Sequence, residues 1–494
     1  ACLAVDGRIA GFVAKRFLSG DGLHYEPRWF KPWPADVRDE VRIAGKAYPI
    51  GDLVFDCGGI RIGFEICEDA WVAARPGGGM APQGVDVILN PSASHFAFGK
   101  FEVRKRLVLE GSRAFSSSYA YANLLGNEAG RVIYDGGALI ASAGRMLAQG
   151  TRFSYKPVGV VSATVDVAAT RMKMAQLASY QPDALSGRAA EVPCPFTWSD
   201  CPHEPLQVRA ADWESNIHLK EEEFARAIAL GLFDYLRKSR SHGFVVSLSG
   251  GADSSATACL VALMVQFACK ELGDAGFRES LGYIDWNRAA GNGSDVVRDL
   301  LHCVYQSSQN SSETTRSAAA TVAKAVGAEF SETQIDAAVQ GYIEMIETML
   351  GRRLTWETDD IALQNIQART RAPSVWLLAN VKRALLLSTS NRSEAAVGYA
   401  TMDGDTCGGL APIAGIDKAF LRRWLVWLEH EGPIGAGPIP ALAAVNRLQP
   451  TAELRPQETG QTDEEDLMPY PVLDAVERAA IRDKQSPREV FRQM

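Results

Sequence analysis

Seven residues, Ser249-Gly-Gly-Ala-Asp-Ser-Ser255, constrain this chain more than any other feature. They stand directly after the apolar run Phe244 to Leu248 and directly before an alanine-rich stretch of helical character. Gly250 and Gly251 can take backbone angles closed to other residues, so successive N–H groups can point at one anion while the helix adds its positive end. The spacing is neither the Gly-Lys-Ser/Thr of a Walker A loop nor the Gly-x-Gly-x-x-Gly of a dinucleotide fingerprint. A capped strand-to-helix turn is the plainer alternative. The serines at 249, 254 and 255 favour a bound pyrophosphate instead.

The pattern around this loop sets the fold class. From Glu221 onward long helical stretches alternate with short apolar ones, which predicts a doubly wound parallel sheet with strands at Phe244 to Leu248, Leu281 to Ile284 and Ala384 to Leu387. A helix over Asp360 to Lys382 should kink or divide at Pro373. The first 165 or so residues carry β-rich runs between glycine turns: Ile9 to Val13, Ile60 to Ile66, Val85 to Leu89 and Gly137 to Ala141, with helical periodicity from Phe101 to Ser117. This too is α/β material. Between the two regions periodicity is lost and Pro182, Pro193, Pro195, Pro202 and Pro205 gather, as in a connecting segment. A chain of 494 residues exceeds one typical core, and the expected division is 1–167, a linker over 168–215, and 216–494.

A net charge of −8 argues against a nonspecific nucleic-acid or membrane surface, which needs clustered Lys and Arg. Any bound phosphate must be held locally. The nine cysteines are scattered and odd in number, which predicts a reducing, cytoplasmic setting rather than a zinc ribbon or a disulfide framework. The apolar run around Cys259 to Cys269 is expected as a buried helix, too short to cross a bilayer. The opening residues Ala1 to Val5 read as though already inside a strand, which predicts that the N-terminal part of the first domain is missing.

The loop resembles that of the N-type ATP pyrophosphatases, which split ATP into AMP and pyrophosphate to activate a substrate. Asn365-Ile-Gln-Ala-Arg369, Ser388 to Tyr399, Gly404-Asp405, Pro450 to Pro456 and Gln461 to Glu464 are similar, in that order, to the glutamine-dependent NAD synthetases. The resemblance implies ATP and Mg2+ as cofactors and amidation of deamido-NAD through an acyl-adenylate. It implies that Asp253 and Glu394 hold the metal, as hard oxygen ligands should. Ser249, Gly250, Gly251, Asp253, Ser254, Ser255, Thr389, Lys418 and Thr451 would contact the ATP phosphates, and Asn365, Arg369 and Asp405 would help to position deamido-NAD and ATP. Glu394 read alone could be a helix-start carboxylate and Lys418 or Arg369 a solvated surface charge. One departure stands out: the family writes a second aspartate where this chain has Gly409.

In the first domain, Cys67 follows an apolar strand within Phe64-Glu-Ile-Cys67-Glu-Asp-Ala-Trp71, where a thiol on the turn would be exposed as a nucleophile. With Asn90 to His95, Gly99-Lys100, Tyr121 to Asn123 and Asp135 to Gly137, this resembles a nitrilase-type glutaminase domain, a partial αββα sandwich. The resemblance implies a Glu–Lys–Cys triad, with Cys67 as nucleophile and Lys15 as the lysine that stabilises the oxyanion. The glutamate should lie well upstream of Lys15, where Asp6 is the one acid. Either that part of the domain is absent, or the glutaminase is inactive and free ammonia is used. His95 reads as a pocket-lining residue rather than a metal ligand.

The resemblance further implies a homo-oligomer with an internal ammonia path. Other ATP-pyrophosphatase amidotransferases with a different carboxylate acceptor are the rival reading, along with a module in which both sites are degenerate. The region around Cys67 disfavours the first, and the presence of Asp253 and Glu394 the second.

Overall fold

The computed structural model describes residues 1–494 except 21, 129–131, 183–190, 202–207, 209, 287–295, 452 and 457–461. Pro202, Pro205 and Gln461 therefore lie outside the described residues. The chain divides into two compact units, Ala1–Lys220 and Glu221–Met494.

The first unit holds strands β1 (Cys2–Val5), β2 (Arg8–Val13), β3 (Arg38–Ile43), β4 (Lys46–Gly51), β5 (Val54–Cys57), β6 (Ile60–Phe64), β7 (Val87–Ser92), β8 (Ser118–Asn123), β9 (Leu125–Glu128), β10 (Val132–Asp135), β11 (Ala138–Ser142), β12 (Arg145–Gln149) and β13 (Glu191–Cys194). Seven of them form one mixed sheet in the order β12-β11-β8-β7-β6-β5-β13, and four form a smaller sheet, β1-β2-β4-β3. Alternation along the strands decides which layer each residue joins. Phe64 of β6 with Val87 and Leu89 of β7 packs toward Leu3, Val5, Ala10 and Val13 of the small sheet. Ile88 of β7, with Tyr119 and Leu139, packs toward Phe101 and Val108 of the helix Lys100–Ala114.

The segment expected as a plain linker over 168–215 contains a helix, Val167–Gln176, and strand β13, which extends the large sheet parallel to β5. Proline content concealed this strand. Pro193 sits within β13, and an edge strand tolerates a residue that cannot donate on its outer side.

The second unit is built on four parallel strands in the order β16-β15-β14-β17, comprising β14 (Phe244–Ser247), β15 (Leu301–Ser307), β16 (Glu329–Gln334) and β17 (Leu385–Leu387). Phe244, Val245 and Val246 of β14 are buried, as are the six residues from Leu301 to Gln306 of β15. Burial at consecutive positions means that both faces are covered, the condition under which a parallel sheet is stable. Val375 and Ala379 of the helix Trp356–Lys382 pack on Val245, Val304 and Leu386. The helix Ala252–Ser280 packs against β14 and β15. It is long and apolar enough to span a bilayer by length and composition, yet 78% of its apolar window is buried inside the protein.

Three expectations change. Leu281 to Ile284 is not a strand: Leu281 caps the long helix, fully buried, and Tyr283 donates its hydroxyl to the Leu236 carbonyl at 2.7 Å. The unannounced strands are β16 and β15, the latter beginning directly at the end of the short helix Val296–Leu300 with no turn residue before it. Pro373 does not divide its helix, whose one non-helical residue is Asp359. Gln306 Nε2 (2.7 Å) and Ser374 Oγ (3.1 Å) donate to the Arg371 carbonyl and brace the turn that holds the proline.

Candidate active site

β14 ends on Ser247, and the chain turns at Ser249 and Gly250 into the helix that starts at Ala252. Gly250 has φ +83°, and a Cβ there would lie 2.2 Å from the Thr315 carbonyl oxygen, so glycine is required twice over. Gly251 does not share this need: its φ is −83° as the residue preceding the helix. Ser249 and Ser254 pair their hydroxyls at 3.0 Å, and Ser249 Oγ accepts from Gly251 N at 3.2 Å, which stiffens the turn.

Above the turn lies a cavity of about 260 Å3 lined by Ser249, Gly250, Gly251, Asp253, Ser254, Thr389, Glu394, Asp405, Lys418 and Thr451 among others. The sequence-predicted phosphate set thus meets in one cleft, with one exception. Ser255 is fully buried beneath it, and its hydroxyl has no partner among the described residues. Asn365 and Arg369 do not line the cleft either. Asn365 Oδ1 accepts from Thr401 Oγ1 at 2.9 Å and Arg369 Nε donates to the Met402 carbonyl at 3.0 Å, so both brace the segment that carries Asp405. Asp405 in turn accepts from Thr401 N at 3.0 Å.

At the head of the cleft Lys418 Nζ contacts Asp253 Oδ2 and lies 2.9 Å from Glu394 Oε1. Burial raises the Glu394 carboxyl to about 7, the Asp253 charge adding to it and Lys418 opposing it. Burial alone would lower the Lys418 ammonium, but Asp253 and Glu394 outweigh it and its value rises. Two carboxylates thus converge on one ammonium, and hard oxygen donors arranged in this way fit a divalent cation such as Mg2+. Among the described residues no group of three or more His, Cys, Asp or Glu could hold a metal by itself, so bound substrate or water would have to complete such a site.

Sequence reasoning missed the residues that hold these carboxylates. Asn391, fully buried, donates Nδ2 to Asp253 Oδ1 at 2.9 Å and accepts from Glu394 N at 3.0 Å as the cap of the helix Arg392–Val397. The Asn-x-x-Glu spacing was the available signal. Glu453 was missed too: its carboxylate takes the Ser312 (2.8 Å) and Thr315 (2.9 Å) hydroxyls and so fixes the loop that carries Thr451. At Gly409 a Cβ would come no nearer than 3.8 Å to atoms beyond its chain neighbours, so there is room for a first side-chain carbon at this position.

In the first unit, Cys67 opens a turn after β6 with φ +51°, a left-handed conformation uncommon for a residue with a side chain. It is half-buried, and its thiol has no hydrogen-bond partner among the described residues. Asp69 ties this turn to the Lys15 segment by accepting from Ile66 N (2.9 Å), Phe17 N (2.8 Å) and Arg16 N (3.2 Å). Lys15 Nζ is held by both oxygens of Glu26, at 2.7 and 2.5 Å. Glu26 was missed because the acid was sought upstream of Lys15. Asp6 is exposed at a hairpin turn. Glu65 is also unsuited as a base, since Tyr119 Oη (2.6 Å), Arg75 Nη2 (2.6 Å) and Gly77 N (2.8 Å) already occupy its buried carboxylate. His95 accompanies His24 at 2.9 Å and Lys100 at 3.3 Å. The fully buried pair Arg104–Asp135 (2.7 Å), with Arg104 Nη2 on the Ser94 (2.7 Å) and His95 (2.8 Å) carbonyls, anchors that loop.

Each unit has relatives. The family model for carbon-nitrogen hydrolase matches residues 7–173 and that for NAD synthase residues 224–494. A putative glutamine-dependent NAD(+) synthetase of Schizosaccharomyces pombe is 30% identical over 531 residues, covering 100% of this chain and 74% of that protein. The crystal structure of a glutamine-dependent NAD(+) synthetase from Cytophaga hutchinsonii has a TM-score of 0.77 at 40% identity, covering 100% of this chain and 72% of its own. The enzyme of the same name from Acinetobacter baumannii, solved in complex with adenosine diphosphate, shares the fold with a TM-score of 0.60 at 20% identity, covering 97% and 69%.

Proposed function

The chain belongs to the glutamine-dependent NAD(+) synthetases, and from that premise we infer how its residues divide the work of ATP-dependent amidation of deamido-NAD with glutamine as nitrogen donor. The observation that carries the inference is the meeting of Asp253 and Glu394 on one cation above the Gly250 turn.

In the second unit an oxygen of the nicotinate carboxylate attacks the α-phosphorus of ATP. The bond to the β-phosphate oxygen breaks, and pyrophosphate leaves with the electron pair. Ammonia then adds to the acyl carbon of the adenylate and expels AMP, losing a proton as the amide forms. The first step brings a carboxylate onto a triphosphate, so fixed donors and cations must offset the repulsion, and in the second they stabilise the oxyanion that forms as ammonia adds. The N–H groups around Gly250, with the start of the helix, cradle the departing pyrophosphate. A magnesium ion held by Asp253 and Glu394 would neutralise phosphate charge when bound. Lys418, already protonated between those carboxylates, supplies a further positive charge, and Thr389 and Thr451 supply hydroxyls. Asp405, braced by Asn365 through Thr401, faces the substrate end.

In the first unit Cys67 attacks the glutamine side-chain carbonyl; the C–N bond breaks and the nitrogen takes the thiol proton to leave as ammonia, and water then cleaves the thioester to release glutamate and restore the thiol. Lys15, its ammonium oriented by Glu26, steadies the oxyanion.

Activity of the purified protein with ammonium and with glutamine tests the reading. Asp253→Ala should abolish NAD formation with either nitrogen source, and retained turnover with ammonium would remove Asp253 from the phosphate site. Cys67→Ala should abolish turnover with glutamine alone; equal loss with ammonium would contradict separate sites.

A further inference from the structure

Lys418, Arg422 and Arg371 are the cationic residues that line the synthetase cleft. Lys418 is matched by Asp253 and Glu394, and Arg422 lies 3.5 Å from Glu464. Arg371 has no carboxylate within ion-pair distance among the described residues. Its Nε reaches the Gln306 carbonyl, and its Nη1 the Gln367 carbonyl, only at 3.5 Å, the outer limit for a hydrogen bond. Asp405, Tyr305, Glu453 and Asp336 act on its charge through space, but burial dominates and lowers its value. A partly exposed guanidinium with so little compensation is left available to an anion that enters the cleft.

The backbone that carries it, by contrast, is pinned. Gln306, itself 5% exposed, donates its Nε2 to the Arg371 carbonyl at 2.7 Å while its side-chain Oε1 accepts from Ser247 Oγ at 2.7 Å. Residues at the ends of β14 and β15 thus hold the start of the side chain, and the head group is left to the cleft. Such a fork suits two oxygens of one anion.

We propose that Arg371 is an anion-pairing residue of the amidation site, whose guanidinium binds an anionic oxygen of a bound substrate, a nucleotide phosphate or the nicotinate carboxylate. The proposal rests on the function inferred above. In the carboxylate case it also favours release of the product, because a guanidinium holds a carboxylate better than the neutral carboxamide.

The test uses the full-length enzyme with ammonium as nitrogen source, and steady-state constants for ATP and for deamido-NAD. Arg371→Gln should lower kcat/KM for one substrate about 10- to 100-fold with little change in Tm. A loss read in the ATP constant assigns the phosphate, and a loss read in the deamido-NAD constant assigns the carboxylate. Arg371→Lys, which also serves if the glutamine variant does not fold, should lose less, and added guanidinium should restore part of the turnover of Arg371→Ala. Constants within about twofold of wild type overturn the proposal, as does a loss that guanidinium does not rescue and that tracks a lowered Tm. A wild-type enzyme inert toward deamido-NAD would overturn the function as well, whereas an active enzyme indifferent to Arg371 overturns this proposal alone.

Discussion

Replacing Asn391 with alanine removes two interactions whose costs can be worked separately. Its Oδ1 caps the helix Arg392–Val397 through Glu394 N at 3.0 Å, and losing such a cap costs about 1 kcal/mol. Its Nδ2 donates to Asp253 Oδ1 at 2.9 Å, and a hydrogen bond to a charged group contributes roughly 1.5–3 kcal/mol. The second unit should therefore lose about 2.5–4 kcal/mol. Trp424 and Trp427, 0% and 6% exposed in this unit, report its unfolding in urea by fluorescence. Asn391→Asp separates the two effects: it keeps a good capping oxygen but sets a third carboxylate against Asp253, so ammonium-dependent activity should fall at least as far as in the alanine variant. The reasoning fails if Asn391→Ala costs under about 1 kcal/mol while kcat/KM stays within twofold of wild type.

Other consequences can be checked in the same way. Arg104→Met leaves the buried Asp135 with only the longer Arg152 contact at 3.7 Å and should destabilise the first unit by about 3–5 kcal/mol in urea unfolding; a cost below about 1 kcal/mol would show the close pair to be dispensable. Gly250→Ala should cost more than the roughly 1–2 kcal/mol of a left-handed residue, because its methyl group meets the Thr315 carbonyl, and ATP affinity measured by calorimetry should vanish. Burial lowers the His302 imidazole, with Glu329 opposing and Lys382 assisting, so this ring stays neutral in the folded chain at a pH where the unfolded chain binds a proton. Its contribution is complete above the unfolded value near 6.5 and is lost as pH falls below it. His302→Asn should flatten the acid limb of the stability–pH curve, and an unchanged limb would place the titration elsewhere.

How far the sequence could be read depended on how local each determinant was. The Ser249–Ser255 turn was legible because strand, glycines and helix are consecutive, and β14, β17 and the helix Lys100–Ala114 followed from periodicity. Lys418, which meets Asp253 and Glu394 from a distant helix, was reachable only through resemblance. Gln306 and Arg371 belong to elements that only the parallel sheet brings together, and β15 itself was hidden by the helix before it. Glu26 was in plain view eleven positions beyond Lys15, but nothing in its spacing says that the chain folds back there.

The helix Ala252–Ser280 leaves the ribosome well before its cover exists. It packs in part against β15, the helix Glu313–Val326 and the helix Lys418–His430, so the last of these follows roughly 150 residues later, on the order of ten to thirty seconds at ordinary elongation rates. Until that last helix emerges, the face of Ala252–Ser280 that it covers has no partner from its own chain, and a growing polypeptide must carry that apolar side uncovered.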